Sequence, residues 1–191
     1  MAKSVTILGE TELANVRFRL VRLCVEVEEA NGEKRRIEHE IYMHGPAAAI
    51  LLYDPARRVV LLVRQFRLAA YLATGALDFL EVAAGMLDGD APEDCARREA
   101  LEEIGIKLRD VRFAFKTVSN PACMTETIDC FIAAYSPEDI VEAGGGVDDD
   151  ERIERVELGF DDALTAIESG AIRDAKTVAL LCYAKSLGLL G

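Results

Sequence analysis

The order of apolar patterns along this 191-residue chain predicts an α+β fold built on a mixed sheet. Alternating residues dominate the first third, a helical stretch with marked ends interrupts the middle, and strands return before two closing helices. Val16, Phe18 and Leu20 alternate with Asn15, Arg17 and Arg19. From Leu23 the phase shifts to Leu23, Val25 and Val27, which predicts a bulge or bend near Val21 and Arg22. Asn31-Gly32 is a hairpin signal, and Ile37, His39, Ile41 and Met43 form one side of the next strand. The apolar runs 47–53 and 59–63, joined by Asp54-Pro55-Ala56-Arg57, read as a buried hairpin. A short strand is expected at 78–82, a helix at 90–104, and strands at 111–117, 128–135 and 153–158. Helices follow, one with Phe160, Leu164 and Ile167 on a single side and one over 177–187.

Composition narrows the function classes. Hydrophobic residues make up 51% of the chain, enough for a sizeable core, and the longest apolar run, 46–53, is too short to cross a bilayer. The N-terminus has no signal-peptide pattern, so a cytoplasmic enzyme is expected. Lysine and arginine total 22 against 34 acidic residues, a net charge of -12 that repels a nucleic-acid backbone. No nucleic-acid or membrane partner is expected. A small anionic substrate needs local cations to offset this field. The five cysteines show no C-x-x-C pair and read as buried, reduced thiols.

The chemistry concentrates in 85–106. Asp90 and Glu93 have the spacing of an N-cap and its partner, Pro92 suits the first turn, and Gly105 suits the end. Glu99, Glu102 and Glu103 stand at i, i+3 and i+4 on one helical side, where like charges repel. Such a run is either a solvated face or a site for a hard cation such as Mg²⁺.

Arg98-Glu99-Ala100-Leu101-Glu102-Glu103-Ile104-Gly105-Ile106 matches every fixed position of R-E-U-x-E-E-x-G-U, the second half of the Nudix box. The chain thus resembles a Nudix hydrolase. The first half departs from the box, because Ala84 and Asp90 stand where it has Gly and Glu, and Gly85 is one residue late. Outside the box, Arg64-Gln-Phe-Arg67, the 83–88 segment, the Gly144-Gly-Gly loop with its acidic run to Glu151, and 170–177 resemble the GDP-mannose pyrophosphatase branch, close to the ADP-ribose pyrophosphatases. The resemblance implies a Nudix α/β/α sandwich with a mixed sheet over 45–191. An N-terminal antiparallel β subdomain over 1–44 would help to form a homodimer and part of the nucleotide pocket.

It further implies Mg²⁺-dependent hydrolysis of a nucleotide sugar, with Mn²⁺ as a substitute. The leading reaction is GDP-mannose to GMP and mannose 1-phosphate. ADP-ribose cleavage to AMP and ribose 5-phosphate is the alternative, and a non-catalytic nucleotide-sugar binder is a third reading. Glu99, Glu103 and the Ala84 carbonyl become the implied metal ligands, with Glu102 sharing a metal or binding through water. Arg98 becomes the partner that holds a box glutamate. Glu151 becomes a further ligand or a general base on an acidic loop that swings onto the metal, although the residues alone equally describe a solvated run. Substrate contacts are implied at Arg67, Lys176, Glu126, Glu38, His39, Glu40, Ala84, Gly85, Met86, Glu103, Asp150 and Glu151. Read by itself, Arg67 is as well a surface arginine, and His39, on the apolar side of its strand, is a packed core residue.

Overall fold

The computed structural model describes residues 1–146 and 152–191. The chain forms two compact units, one of Met1–Pro46 with Val118–Thr127, the other of Ala47–Thr117 with Ile128–Gly191.

The first unit carries an antiparallel three-stranded sheet in the order β1 (Ala2–Asn15), β2 (Arg19–Glu29), β3 (Lys34–Met43). The hairpin between β2 and β3 turns at Asn31, whose side-chain oxygen accepts the Glu33 N–H at 3.1 Å. Of the bulge or bend expected near Val21 and Arg22, the bulge is present, opposite Leu20 and Val21 in the β1–β2 ladder, whereas β2 pairs with β3 without interruption from Arg19 to Glu28. The irregularities lie in β1, whose register jumps between Ile7 and Gly9 and between Glu12 and Ala14. Val21 and Val27 are buried, whereas every residue of β1 is exposed. His39 is exposed as well, so its place among Ile37, Ile41 and Met43 does not make it a core residue.

The second unit is a mixed sheet in the order β10 (Glu154–Gly159), β5 (Val59–Gln65), β4 (Ala47–Asp54), β9 (Thr127–Ala134), β8 (Arg112–Val118). Two short strands extend it, β6 (Phe79–Glu81) on β5 and β7 (Ala83–Met86) on β4. β4 runs antiparallel to β5 and parallel to β9, and Asp54 closes the β4–β5 turn by accepting the Ala56 and Arg57 N–H groups at 2.9 and 3.1 Å. Uninterrupted apolar runs are what strands covered on both faces require. Ala49, Leu51, Leu62, Cys130 and Ile132 pack with α3 (Phe160–Glu168) and α4 (Ala175–Ser186). Ala48, Ile50, Leu61, Val63 and Phe131 pack with α2 (Pro92–Glu99) on the other face. The result is an α/β/α sandwich.

Three expectations need correction. A short helix, α1 (Leu68–Thr74), follows β5 where none was expected, and none of its residues is buried. The N-cap of α2 is Ala91 with no side-chain bond, since Asp90 is drawn away by Arg98. Only Cys95 and Cys130 are buried; Cys24 is half-buried, Cys123 and Cys182 are exposed, and all are free thiols. No helix among the described residues is long and apolar enough to cross a membrane.

The predicted helix also changes character at its end. After Glu99 the chain widens into a π turn, Ala100–Ile104, closed by Gly105 in the left-handed region at φ 81°. Its last carbonyls are taken by another segment: Gly145 and Gly146 N–H groups donate to Glu103 and Glu102 oxygens at 3.0 Å each, and Arg155 donates to Ile104 at 2.8 Å. The glycine run read as the root of a swinging loop is therefore bonded to the box helix. A Cβ on Gly144 would stand 2.6 Å from the Glu103 carbonyl oxygen, and one on Gly105 would stand 2.2 Å from that of Glu142. Gly105→Ala thus meets both a left-handed backbone and a backbone clash. Gly170→Ala, also at positive φ but with open space around it, serves as the control. In urea unfolding the control should lose about 1–2 kcal/mol, and Gly105→Ala clearly more.

Candidate active site

Two carboxylates are buried where α2 meets β7. Glu99 ends the helix and Glu103 lies in the π turn. The Glu103 Oε2 accepts the Ala84 N–H at 3.2 Å. Glu99 lies against Gly85 so closely that a Cβ there would be 1.9 Å from its Oε1, so any side chain at this strand position would displace the Glu99 carboxylate. Arg98 braces the group. Its Nη1 donates to Glu99 at 2.7 Å and to Glu102 at 3.1 Å, its Nη2 to the Met86 carbonyl at 3.0 Å, and its Nε to Asp90 at 3.2 Å. The segment 84–86 is part of strand β7, in register with β4.

Burial and the adjacent Glu99 charge push the Glu103 carboxyl up to about 8, against the pull of the Ala84 N–H. Two carboxylates desolvated together repel each other, and a cation between or beside them relieves both. The donor set is carboxylate and backbone oxygen, which suits a hard divalent ion rather than zinc. Among the described residues no three His, Cys, Asp or Glu side chains form a metal cage.

Beside this pair lies a second cluster. Glu81, at the end of β6, has a side chain only 4% exposed, and it accepts Arg67 Nε at 2.6 Å and Lys176 Nζ at 2.5 Å. Lys176 also pairs with Asp174 at 3.1 Å, the residue that caps α4 by accepting the Thr177 N–H. Thr177 in turn accepts the Val82 N–H at 2.9 Å, which fastens the start of α4 to β6. Burial pulls against the charge of both cations, yet Glu81, with Asp174, holds Arg67 and Lys176 above their ordinary values. The charges of Glu81 and Arg67 act on the Glu103 carboxyl, so the two clusters are electrostatic neighbours. Between them they hold Arg67, Ala84, Gly85, Glu99, Glu103 and Lys176. Met86 enters through its carbonyl, and Glu102 stands at the edge, engaged with Arg98.

The remaining expected residues belong to the first unit or fall outside the described residues. Glu38, His39 and Glu40 are exposed on β3, with Glu40 paired to Arg22 at 3.0 Å. Glu126, in the first unit, faces His44 Nδ1 at 3.1 Å. Asp150 and Glu151 lie outside the described residues. Sequence reasoning missed Glu81 and Asp174. The signal for Glu81 was available, since a carboxylate between Leu80 and Val82 in a sheet strand must find partners.

Comparison with known proteins agrees with this geometry. The model of the NUDIX domain matches residues 43–181. A GDP-mannose pyrophosphatase of Salmonella paratyphi B is 41% identical over 192 residues, covering 100% of both chains. A protein of the same name from Escherichia coli O139:H28 is 39% identical over 191 residues, again covering 100% of each. Among solved structures, one titled an ADP compounds hydrolase superposes with a TM-score of 0.76 at 21% identity, over 98% of this chain and 95% of its own, a likeness of fold. Members of the matched family generally use divalent metal ions. With the family model spanning most of its length and full-length relatives near two-fifths identity, this chain belongs to the Nudix hydrolase family.

Proposed function

We propose that this protein hydrolyses the diphosphate bond of GDP-mannose, releasing GMP and mannose 1-phosphate, with Mg²⁺ as its ion and Mn²⁺ as a substitute. The names of the full-length relatives support the substrate. The observation that carries the chemistry is the buried Glu99–Glu103 pair beside the Arg67–Glu81–Lys176 cluster. Anionic oxygens that hold a cation and cations that hold an anion lie together, as an ion-assisted cleavage of a diphosphate requires.

Glu99, Glu103 and the Ala84 carbonyl would hold the ion. When bound, it offsets phosphate charge and orients the diphosphate. Arg67 and Lys176 bind the diphosphate oxygens, the guanidinium by its fork and the ammonium as a point charge. Arg98 keeps Glu99 in its rotamer and Glu102 close to it. Water attacks phosphorus, the bond to the bridging oxygen breaks, and a proton is released; Glu151 is assigned as its acceptor or as a further ligand. Glu38, His39, Glu40, Glu126 and Asp150 are assigned to substrate recognition on the resemblance alone. A homodimer is the proposed assembly, supported by the wholly exposed β1 with Val5, Ile7 and Leu8 uncovered. A cytoplasmic location is supported by the five free thiols.

The deciding assay offers GDP-mannose, ADP-ribose and UDP-glucose in parallel with Mg²⁺. GMP release in clear preference establishes the proposal, whereas preference for ADP-ribose keeps the site and replaces the substrate. Turnover of none, with ligand binding retained, would mark a binding protein. Glu103→Gln should lower kcat by about 10²–10³-fold, consistent with several kcal/mol of ion-assisted charge stabilisation. Gly85→Ala should damage activity similarly, since the added methyl displaces Glu99; normal turnover would remove Glu99 from the site.

Glu103 also makes the ion-free protein sensitive to pH. Its folded value, about 8, lies above the ordinary 4.5, so the folded state holds the proton more tightly than the unfolded chain. That contribution is complete below pH 4.5 and is lost as pH rises through about 8. In EDTA the melting temperature should therefore fall across this window, more in wild type than in Glu103→Gln. Mg²⁺ at the alkaline end should restore it in wild type by binding the folded state.

A further inference from the structure

We propose that Glu81 is a positioning residue for the substrate-binding cations, one buried carboxylate that sets Arg67 and Lys176 in fixed relation so that both face a single diphosphate. The proposal rests on the reading of these two cations as the diphosphate site.

A carboxylate in a buried strand is costly unless paired, and Glu81 is paired twice. Each oxygen takes one cation, Oε1 the Nε of Arg67 at 2.6 Å and Oε2 the Nζ of Lys176 at 2.5 Å. The partners come from opposite ends of the second unit, 14 and 95 residues away, so no local turn brings them together. Because Glu81 engages Nε, both Nη groups of Arg67 have no partner among the described residues, and they form the edge suited to phosphate oxygens. Exposure follows the same order. The Glu81 side chain is 4% exposed and that of Arg67 is 44%, so the carboxylate lies at the base and the guanidinium reaches outward.

Two other roles fit less well. A metal ion at Glu81 would have to share each carboxylate oxygen with a full positive charge at 2.5–2.6 Å, which repels it, whereas an anion is drawn to the same two cations. A purely architectural tie is not needed, since the Val82 N–H to Thr177 bond already fastens β6 to α4. Holding two cations side by side does need an anion, because like charges otherwise swing apart into solvent. Long side chains fixed in advance lose less freedom when the ligand arrives.

The test uses the full chain and GDP as the probe, titrated calorimetrically with Mg²⁺, alongside GDP-mannose turnover. Glu81→Gln keeps the size and loses the charge; Glu81→Asp keeps the charge and shortens the reach. Glu81→Gln should weaken GDP binding about tenfold and raise KM similarly, with kcat within about threefold and Glu81→Asp intermediate. The Mg²⁺ concentration giving half the thermal shift should not change. Added to Arg67→Ala with Lys176→Ala, Glu81→Gln should cost less than about threefold more, because it acts only through them. Wild-type GDP affinity in folded Glu81→Gln would overturn the proposal. So would an undiminished penalty in the triple variant, or a raised Mg²⁺ requirement. Should Glu81→Gln not fold by circular dichroism, Glu81→Asp decides by the same readings. A wild type that binds GDP yet cleaves no nucleotide sugar refutes the proposed function and leaves Glu81 judged by the titration. Absence of GDP binding by the wild type overturns both.

Discussion

The burial of Glu99 and Glu103 side by side is the constraint around which the rest of the site is arranged. Burial first, and the neighbouring Glu99 charge second, push the Glu103 carboxyl up to about 8. Three local features make this burial tolerable. Arg98 supplies a fixed positive charge and ties Glu99 and Glu102 to the Met86 carbonyl. Gly85 removes the side chain that would collide with Glu99. The Ala84 N–H gives Glu103 one donor. The conflict that remains is what a divalent ion would relieve, so the strain and the proposed function have one origin.

The π turn belongs to the same arrangement. A helix end usually leaves four carbonyls unmet, and here the Glu102, Glu103 and Ile104 carbonyls receive donors from Gly146, Gly145 and Arg155. The backbone carrying Glu103 is held from outside the helix, by a glycine run whose Gly144 has no room for a side chain against the Glu103 carbonyl. Gly145 and Gly146 are thereby bonded to the turn that carries Glu103. Glu81 extends the scheme across the sheet, where β6 and the start of α4 meet. Positive and negative centres are thus mounted on different secondary elements, and the sheet fixes their spacing.

Much of this was legible in the residues. The strand runs at 47–53 and 59–63 announce themselves as doubly buried because their apolar character is unbroken. The box helix is marked by Pro92 and Gly105, and both act as expected. Where local reading failed, a long-range competitor won. Asp90 has N-cap chemistry, but a guanidinium eight residues on offers a charge-assisted bond instead. The phase shift in β2 marks a bulge, but a strand's own sequence cannot show that the extra residue sits in its partner. His39 looked buried because alternation identifies a side of a strand, not whether anything covers it.

The sequence by itself determined the α+β class, the strand that buries both faces, the helix with its three glutamates and the family they mark. These depend on periodicity and on residues within one or two turns of each other, which the linear order records. Only the tertiary structure decided that Glu99 meets Gly85, that Gly145 and Gly146 close the π turn, and that Glu81 stands between Arg67 and Lys176. Those contacts join residues up to 95 positions apart. Their energy comes from burial, which removes the water that would otherwise satisfy each charge, and burial is a property of the folded chain alone.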